Sequence, residues 1–234
     1  MSRGVFVTGT DTGVGKTLAA CALIHALRGR GLRVAPMKPI AAGAMQHDGA
    51  WVNEDTLALA RAAGPDAPAL EAITPELLRE PMAPHIAAAR EGRTIALAPL
   101  LEAHRHLASL ADFTVVEGVG GFQVPLGPAL DTVDLAKALG LPVVLVVGLR
   151  LGCLNHALLT AAAIESSGLP LAGWIANAID PAMTAREENV AALVERLPAP
   201  LLGRIPFAAH AVAHDLAAGL DVSPLMKKGP GSIY

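Results

Sequence analysis

A glycine-rich segment near the N-terminus constrains the fold more than any other part of this sequence. Residues 8–18 read Thr-Gly-Thr-Asp-Thr-Gly-Val-Gly-Lys-Thr-Leu, and they directly follow the apolar residues 5–7, Val-Phe-Val. A buried strand, a glycine-rich turn and a helix in this order place backbone N–H groups and a helix N-terminus around one point. The segment therefore predicts a loop that binds the terminal phosphates of a nucleotide.

The loop departs from the common phosphate-binding pattern in one position. That pattern requires glycine at position 10, where this chain has Thr10, and the upstream glycine is Gly9. Lys16 would still reach the β- and γ-phosphates, and the Thr17 hydroxyl would hold Mg²⁺. An ordinary turn is the alternative interpretation, and the flanking strand and helix disfavour it.

Composition fits one α/β domain spanning residues 1–234. Hydrophobic residues make up 53% of the chain and aromatic residues only 3%, which suits aliphatic helices packed on a parallel sheet. No apolar run approaches the roughly 18 residues of a membrane-spanning helix, and no signal peptide precedes the first strand. The net charge is −3, with scattered basic residues. We therefore expect a cytoplasmic protein that binds neither membrane nor nucleic acid.

Strand and helix signals alternate along the chain and predict a mostly parallel sheet of the P-loop NTPase type, with helices on both faces. Beyond residues 5–7, strands are predicted at 32–37, 113–116, 142–147, 173–176 and 201–205. Helices are predicted at 17–28, 55–63, 94–110, 155–166 and 187–197. We find no hairpin signal. The proline-rich residues 64–85 should form loops and short helices, and with them a wall of the substrate site; residues 208–234 stay unassigned.

Polar residues at the ends of the predicted strands are the next candidates, because ligands bind beyond the carboxyl ends of parallel strands. Glu117 follows one strand and could bind Mg²⁺. Asp55 is a second candidate ligand, although it could instead cap the helix that begins near Asn53 or interact favourably with the dipole of that helix. Lys38 precedes a proline at a strand end, where a second ammonium would suit phosphoryl transfer. A solvated strand end and a surface lysine are the alternatives for Glu117 and Lys38.

An asparagine and the two cysteines further limit the kinds of reaction that the sequence predicts. Asn177 ends the strand at 173–176 and could present its amide to a nucleotide base. Cys21 and Cys153 have no metal-ligand spacing and no nucleophile context, so we expect both to be buried packing residues. No G-x-S-x-G elbow is present. Among the reaction classes considered, only phosphoryl transfer is still predicted by the sequence.

Several motifs together resemble those of the dethiobiotin synthetases, an ATP-dependent family of biotin biosynthesis. They occur in order from residue 6 to about residue 207 and make the resemblance highly specific. The matching segments begin at residues 6 (FVTGTDTGVGKT), 37 (MKPIA), 53 (NED), 80 (EPMAPH), 116 (VEGVGG), 151 (LGCLNH), 173 (GWIAN) and 200 (PLLGRIP).

The resemblance implies a homodimeric ligase that converts 7,8-diaminononanoate, CO₂ (or bicarbonate) and MgATP into dethiobiotin, ADP and phosphate. The reaction would pass through a carbamate and a carbamic-phosphoric anhydride, with C–N bonds formed at ring closure. By the same resemblance, Thr17, Asp55 and Glu117 would hold Mg²⁺, and the catalytic residues would be Lys38, Lys16 and Thr12.

The resemblance also implies a set of nucleotide and substrate contacts. Residues 152–155, at a helix N-terminus, would bind the substrate carboxylate of the neighbouring subunit, so that the site is shared across the dimer interface. Nucleotide contacts would come from Gly13, Val14, Gly15, Lys16, Thr17, Leu18, Asp55, Glu117, Gly118, Gly120, Asn177, Ile205, Pro206 and Phe207. Substrate contacts would come from Ala42, Gly152, Cys153, Leu154 and Asn155.

The chain departs from the family pattern at three positions. Ala42 stands where a serine is common, Gly13 where an acidic residue is expected, and Asn189 where some members have tyrosine. The serine hydroxyl would contact the carbamate end of the substrate, and backbone donors or water could replace it. These departures affect substrate contacts and leave the predicted reaction unchanged.

Two other classes of protein share parts of the pattern. Partition and septum-positioning ATPases carry a signature lysine where this chain has Asp11, and they often end in a basic amphipathic helix. Residues 226–234 contain only Lys227 and Lys228 amid glycine and proline. A cobyrinic acid amidotransferase would add a glutaminase domain, for which 234 residues leave no room.

Overall fold

The computed structural model describes residues 3–208 and 210–226. Its strands are β1 (Arg3–Gly9), β2 (Val34–Met37), β3 (Ile40–Ala42), β4 (Met45–His47), β5 (Ala50–Val52), β6 (Glu76–Leu78), β7 (Phe113–Glu117), β8 (Pro125–Gly127), β9 (Leu130–Asp131), β10 (Val143–Leu149), β11 (Leu171–Ala178) and β12 (Leu201–Ile205). Its α-helices are α1 (Lys16–Arg28), α2 (Glu54–Ala63), α3 (Leu70–Ile73), α4 (Pro84–Arg90), α5 (Leu97–Leu110), α6 (Thr132–Leu139), α7 (Cys153–Ser166), α8 (Arg186–Arg196), α9 (Ala213–Leu216) and α10 (Ser223–Met226).

Six parallel strands form the central sheet, in the order β12-β11-β10-β1-β7-β2. From β1 the chain passes through α1 to the β2 edge and fills in β7, whereas β10 lies on the other side of β1. Strand order therefore reverses at β1, and a crevice for ligands opens at such a point. The phosphate loop follows β1 directly, so the topology places it in that crevice.

The inner strands of the central sheet are buried on both faces, which explains their continuous apolar sequences. All seven residues of β10 are buried. Val144 and Val146 pack into the layer that contains α1, while Leu145 and Val147 pack into the layer that contains α7 and α8. Successive side chains of a strand point to opposite faces, so the valines and leucines of β10 pack alternately against the helices on each side of the sheet.

Two short antiparallel hairpins contradict the expectation that the chain has none. β4 pairs with β5, and β8 pairs with β9. Asp48 and Gly49 join β4 to β5 with φ values of 49° and 81°, and Asp-Gly is a favoured pair for such a turn. The strands are only two or three residues long, too short to show the alternating pattern that marks a hairpin in sequence.

Several helices differ from the predicted elements. α5 begins at Leu97, three residues after the predicted position, and α6 was not predicted. Residues 210–226, part of the segment that the sequence left unassigned, contain α9 and α10, and both helices join the core layer that contains α1. Lys227 and Lys228, on which the prediction about a basic C-terminal helix depends, lie outside the described residues. Within residues 3–208 and 210–226, no helix is long and apolar enough to cross a membrane.

A capping box explains why α6 starts where it does. The Asp131 carboxylate accepts hydrogen bonds from the backbone N–H groups of Val133 (2.8 Å) and Asp134 (3.0 Å). The Asp134 carboxylate in turn accepts from the Asp131 N–H at 3.0 Å. These bonds satisfy N–H groups that the first helical turn leaves free.

We expect Asp131→Ala to lower the free energy of unfolding by about 1 kcal/mol, because the cap is lost. Asp131→Asn keeps the acceptor oxygen and should stay close to the wild-type stability. Urea denaturation followed by circular dichroism measures both variants. Equal stability of Asp131→Ala and wild type would show that the cap does not stabilise this helix.

Candidate active site

A cleft of about 1030 Å³ opens at the carboxyl ends of the central strands. The phosphate loop forms one side of it, and the ends of β2 and β7 bring further polar groups to its floor. Ten of the residues predicted for the site line this cleft: Thr12, Gly13, Gly15, Lys16, Thr17, Lys38, Ala42, Asp55, Glu117 and Gly120. Separate stretches of sequence therefore meet at one place.

The phosphate loop depends on glycine at two positions. Gly13 and Gly15 have φ values of 75° and 85°, in the left-handed region that glycine adopts without strain. A Cβ atom on Gly15 would lie 2.1 Å from Nδ2 of Asn177. Asn177 donates from that nitrogen to the Val14 carbonyl at 2.8 Å, so the end of β11 packs directly against the loop.

A buried group of charges forms the floor of the cleft. The Lys38 ammonium lies 2.6 Å from Oε1 of Glu117 and 2.9 Å from Oδ2 of Asp55. The Thr17 hydroxyl oxygen lies 2.8 Å from Oδ1 of Asp55 and 2.9 Å from Oε1 of Glu117. Lys38 is 4% exposed and Glu117 is fully buried. The alternative interpretations, that Lys38 is a surface lysine and that Glu117 is a solvated strand end, are therefore wrong.

Burial and charge act in opposite directions on the titration of this group. Burial alone lowers the pKa of Lys38, but the carboxylates of Glu117 and Asp55 outweigh it and raise that pKa above its ordinary value. For Asp55, burial raises the pKa, and the attraction and hydrogen bond of Lys38 outweigh it and lower it. Lys38 and Asp55 are therefore both charged at neutral pH.

Lys16 has a different environment. Burial, and then repulsion by Lys38, lower its pKa below the ordinary value of lysine. Its ammonium donates to the Asp11 carbonyl at 3.0 Å, which holds the side chain over the loop. The two lysines thus face the same cleft, and a polyanion there would relieve their repulsion.

The oxygens around Thr17 fit Mg²⁺. A hydroxyl has one proton, so Thr17 can donate to only one of the two carboxylates that lie within 3 Å of it. Oε2 of Glu117 is buried and has no hydrogen-bond partner among the described residues. No group of three or more His, Cys, Asp or Glu side chains could hold a metal ion in the part of the chain that the structure describes. Mg²⁺ would therefore need phosphate and water oxygens as well, as it commonly does.

The first turn of α2 decides whether Asp55 caps this helix. The side chain of Asn53 accepts the Asp55 N–H at 3.0 Å and is the N-cap of the helix. The Nδ2 group of Asn53 also donates to the Gly43 carbonyl at 3.0 Å. Asp55 is thus not the cap, and its carboxylate is free to turn into the cleft.

The rest of the cleft has a largely apolar wall. Residues 81–84 line it, within the proline-rich segment that was expected to form a substrate wall. Phe122, Gln123 and Val124 also line the cleft, as do Leu159 and neighbouring α7 residues, and none of these was predicted from the sequence. Gly120, where a Cβ would lie 2.9 Å from Val124, could have indicated a close approach of the chain here, whereas nothing in the sequence indicated that Leu159 would line the cleft.

Eleven predicted site residues do not line the cleft. Among them, Asn177 is 4% exposed and packs against the phosphate loop, whereas Phe207, which follows β12, is 47% exposed. Gly118 uses its carbonyl to accept from Lys38 at 3.3 Å. The roles of these residues toward nucleotide and substrate stay predictions: Val14, Leu18, Gly118, Asn177, Ile205, Pro206, Phe207, Gly152, Cys153, Leu154 and Asn155.

Both cysteines are buried and free, as the sequence predicted. Burial raises the pKa of the Cys21 thiol to about 12, so it is protonated at neutral pH and is a packing residue. Cys153 begins α7, where its Sγ lies 3.9 Å from Oδ1 of Asn189.

Comparison with known proteins decides the family. A family model described as an AAA domain matches residues 3–214. The chain is 55% identical over 218 residues to the ATP-dependent dethiobiotin synthetase BioD of Aromatoleum aromaticum, covering 93% of this chain and 96% of that protein. This chain belongs to the dethiobiotin synthetase family. The family resemblance predicted from the motifs is confirmed, and the chain is an ATP-dependent synthetase of that family.

Solved structures confirm the P-loop NTPase type of fold for this dethiobiotin synthetase family member. The cell division ATPase MinD of Pyrococcus furiosus has a TM-score of 0.58 at 19% identity, covering 100% of this chain and 93% of that one. MinD of Pyrococcus horikoshii OT3, complexed with Mg-ADP, has a TM-score of 0.56 at 19% identity, covering 88% and 82%. At such identity the likeness extends to the fold alone.

We expect Gly15→Ala to weaken ATP binding at least tenfold, because it adds the clash with Asn177 to about 1–2 kcal/mol of left-handed strain. Gly13→Ala is the matched control. It brings similar strain, but its Cβ meets nothing within 4 Å, so its effect should be clearly smaller. Equilibrium titration measures affinity and circular dichroism checks folding. Equal losses in both variants would contradict a role for packing on Asn177.

Proposed function

We propose that this protein makes dethiobiotin from 7,8-diaminononanoate, CO₂ and MgATP, releasing ADP and phosphate. The observation that carries the proposal is the buried Lys38 between Asp55 and Glu117, beside a phosphate loop in a chain of this family. We also propose Mg²⁺ as the metal, a homodimer as the assembly and the cytoplasm as the location.

The proposed reaction is a phosphoryl transfer followed by ring closure. One amine of the substrate captures CO₂ as a carbamate, whose oxygen attacks the γ-phosphorus of ATP and displaces ADP. The carbamic-phosphoric anhydride then reacts with the second amine, the ring closes, and phosphate leaves. Such a transfer needs positioning and charge stabilisation more than covalent catalysis by the protein.

Lys16 and Lys38 supply the positive charge in this scheme. Lys16 extends over the phosphate loop, where it would contact the β- and γ-phosphates. Lys38 lies between Asp55 and Glu117 on the floor of the cleft, where it would stabilise the carbamate and the phosphoryl group in transfer. Thr17, Asp55 and Glu117 would hold Mg²⁺, which supplies neutralisation of phosphate charge when bound. Thr12 lines the same cleft and is the third catalytic candidate.

The remaining proposed contacts are those to the carbamate end of the substrate and to the nucleotide base. The Ala42 position would face the carbamate end, with backbone donors or water in place of a serine hydroxyl. Asn177 and residues 205–207 would lie toward the base. Because Nδ2 of Asn177 already donates to Val14, its Oδ1 is the atom left to accept from an adenine amino group.

A second subunit would complete the substrate site. Leu159 of α7 is 63% exposed while lining the cleft, and Leu151 just before α7 is 95% exposed. A second copy packed here would cover this apolar surface. It would also bring its residues 152–155, at a helix N-terminus, toward the carboxylate of the substrate.

Purified protein should release phosphate only when diaminononanoate, bicarbonate and MgATP are all present. The carbamate is the phosphoryl acceptor in the proposed reaction, so without diamine no acceptor forms. A coupled phosphate assay and mass spectrometry of the product measure the outcome. ATP hydrolysis that is indifferent to the diamine would refute the proposed function.

Lys38→Gln should lower kcat at least a hundredfold and change the Kd for ATP less than about threefold. The ammonium acts on charge that develops during transfer, while Lys16 and the loop retain the nucleotide. Circular dichroism must show an intact fold, because the variant leaves two carboxylates without their buried partner. If activity stays within about threefold, equal to about 0.7 kcal/mol, Lys38 is not catalytic.

Leu159→Glu should shift the assembly toward monomer, since it places a charge in the proposed apolar interface. Leu110→Glu is the control, because Leu110 is similarly exposed at 52% but ends a different helix. Size-exclusion chromatography with light scattering measures both masses. A Leu159→Glu variant that remains dimeric would place the interface elsewhere.

A further inference from the structure

An ion pair outside the proposed catalytic set joins Asp11, which lines the cleft, to Arg150. An Nη atom of Arg150 lies 2.5 Å from Oδ2 of Asp11, and Oδ1 of Asp11 accepts the Thr12 N–H at 2.7 Å. Asp11 belongs to the phosphate loop after β1, and Arg150 immediately follows the neighbouring strand β10. The pair therefore links the loops at the ends of two adjacent strands.

Asp11 is an unfavourable residue to place beside a nucleotide. Its side chain lies in the loop that lines the cleft, and its own carbonyl accepts from the Lys16 ammonium. The hydrogen bond from the Thr12 N–H, followed by the bond and charge of Arg150, lower the pKa of Asp11 despite partial burial. The carboxylate is thus negative at neutral pH, where it repels phosphates unless a cation compensates it.

Arg150 can supply this positive charge, because its backbone is held in a turn and its side chain pairs with Asp11. Its carbonyl accepts the Cys153 N–H at 3.0 Å, in the turn that begins α7. The side chains of Arg150 and Asp11 are 40% and 47% exposed, and ion pairs this exposed contribute only about 0–1 kcal/mol to stability. A role in the fold is therefore small, whereas a phosphate group in the cleft would feel the charge of Asp11 directly.

We propose that Arg150 is a positioning residue for nucleotide binding, which holds the Asp11 carboxylate and neutralises its charge beside the phosphate loop. This inference rests on the proposed binding of ATP at the loop, but not on the diamine or on the reaction. It predicts that Arg150 matters only while position 11 carries a negative charge.

A double-mutant cycle tests this, with the Kd for MgADP measured by titration calorimetry at fixed salt. Arg150→Ala should weaken binding about tenfold. Asp11→Asn keeps the acceptor for the Thr12 N–H but removes the charge, and should bind at least as tightly as wild type. The double variant D11N/R150A should return to within about threefold of wild type, because no charge remains to be compensated.

The control is Arg33→Ala, which removes another exposed Arg–Asp pair (2.8 Å, to Asp112) just before β2, at the opposite end of the strands. It should leave the Kd unchanged. A double variant as weak as Arg150→Ala would mean that Arg150 contacts phosphate itself, and an Arg150→Ala variant within twofold of wild type would mean that it has no role; either overturns the inference. Absence of MgADP binding by the wild type would instead refute the proposed function.

Discussion

The Lys38 ammonium lies 2.6 Å from Glu117 and 2.9 Å from Asp55, almost completely shielded from water. An isolated charge at the depth of Lys38 would cost several kcal/mol, so its ammonium depends on the two neighbouring carboxylates. They come from three elements, the ends of β2 and β7 and the first turn of α2. Any shift in the packing of these elements would leave a buried charge without its partner, and the cleft would lose its floor.

The phosphate loop is held by contacts of a different kind. It needs left-handed backbone at Gly13 and Gly15, and it needs Asn177 from β11 to support the Val14 carbonyl. The absence of a side chain at Gly15 is what lets Asn177 approach so closely. The loop and the charged floor thus depend on different strands of one sheet, and the parallel arrangement brings both to the same edge.

Much of this was predictable from sequence, because local patterns carried it. The loop, the buried strands and the polar residues that end them each follow from a short stretch, and Glu117 and Lys38 were found by that reasoning alone. The two hairpins and α6 were not predicted, since these elements are too short to show a hydrophobic periodicity. The wall around Phe122 and Leu159 could not be predicted from sequence, because both side chains are apolar and unreactive and no motif marks them as cleft residues.

The sequence by itself determined the class of fold, the family and the identity of the phosphate loop, since these rest on motifs and hydrophobic patterns written in consecutive residues. Only the tertiary structure decided how the charges are paired. Asp55 could have capped α2, but Asn53 does so, and Asp55 turns to Lys38. Likewise nothing local joins Asp11 to Arg150, 139 residues away. Ion pairs between distant residues depend on strand order, which the fold as a whole sets.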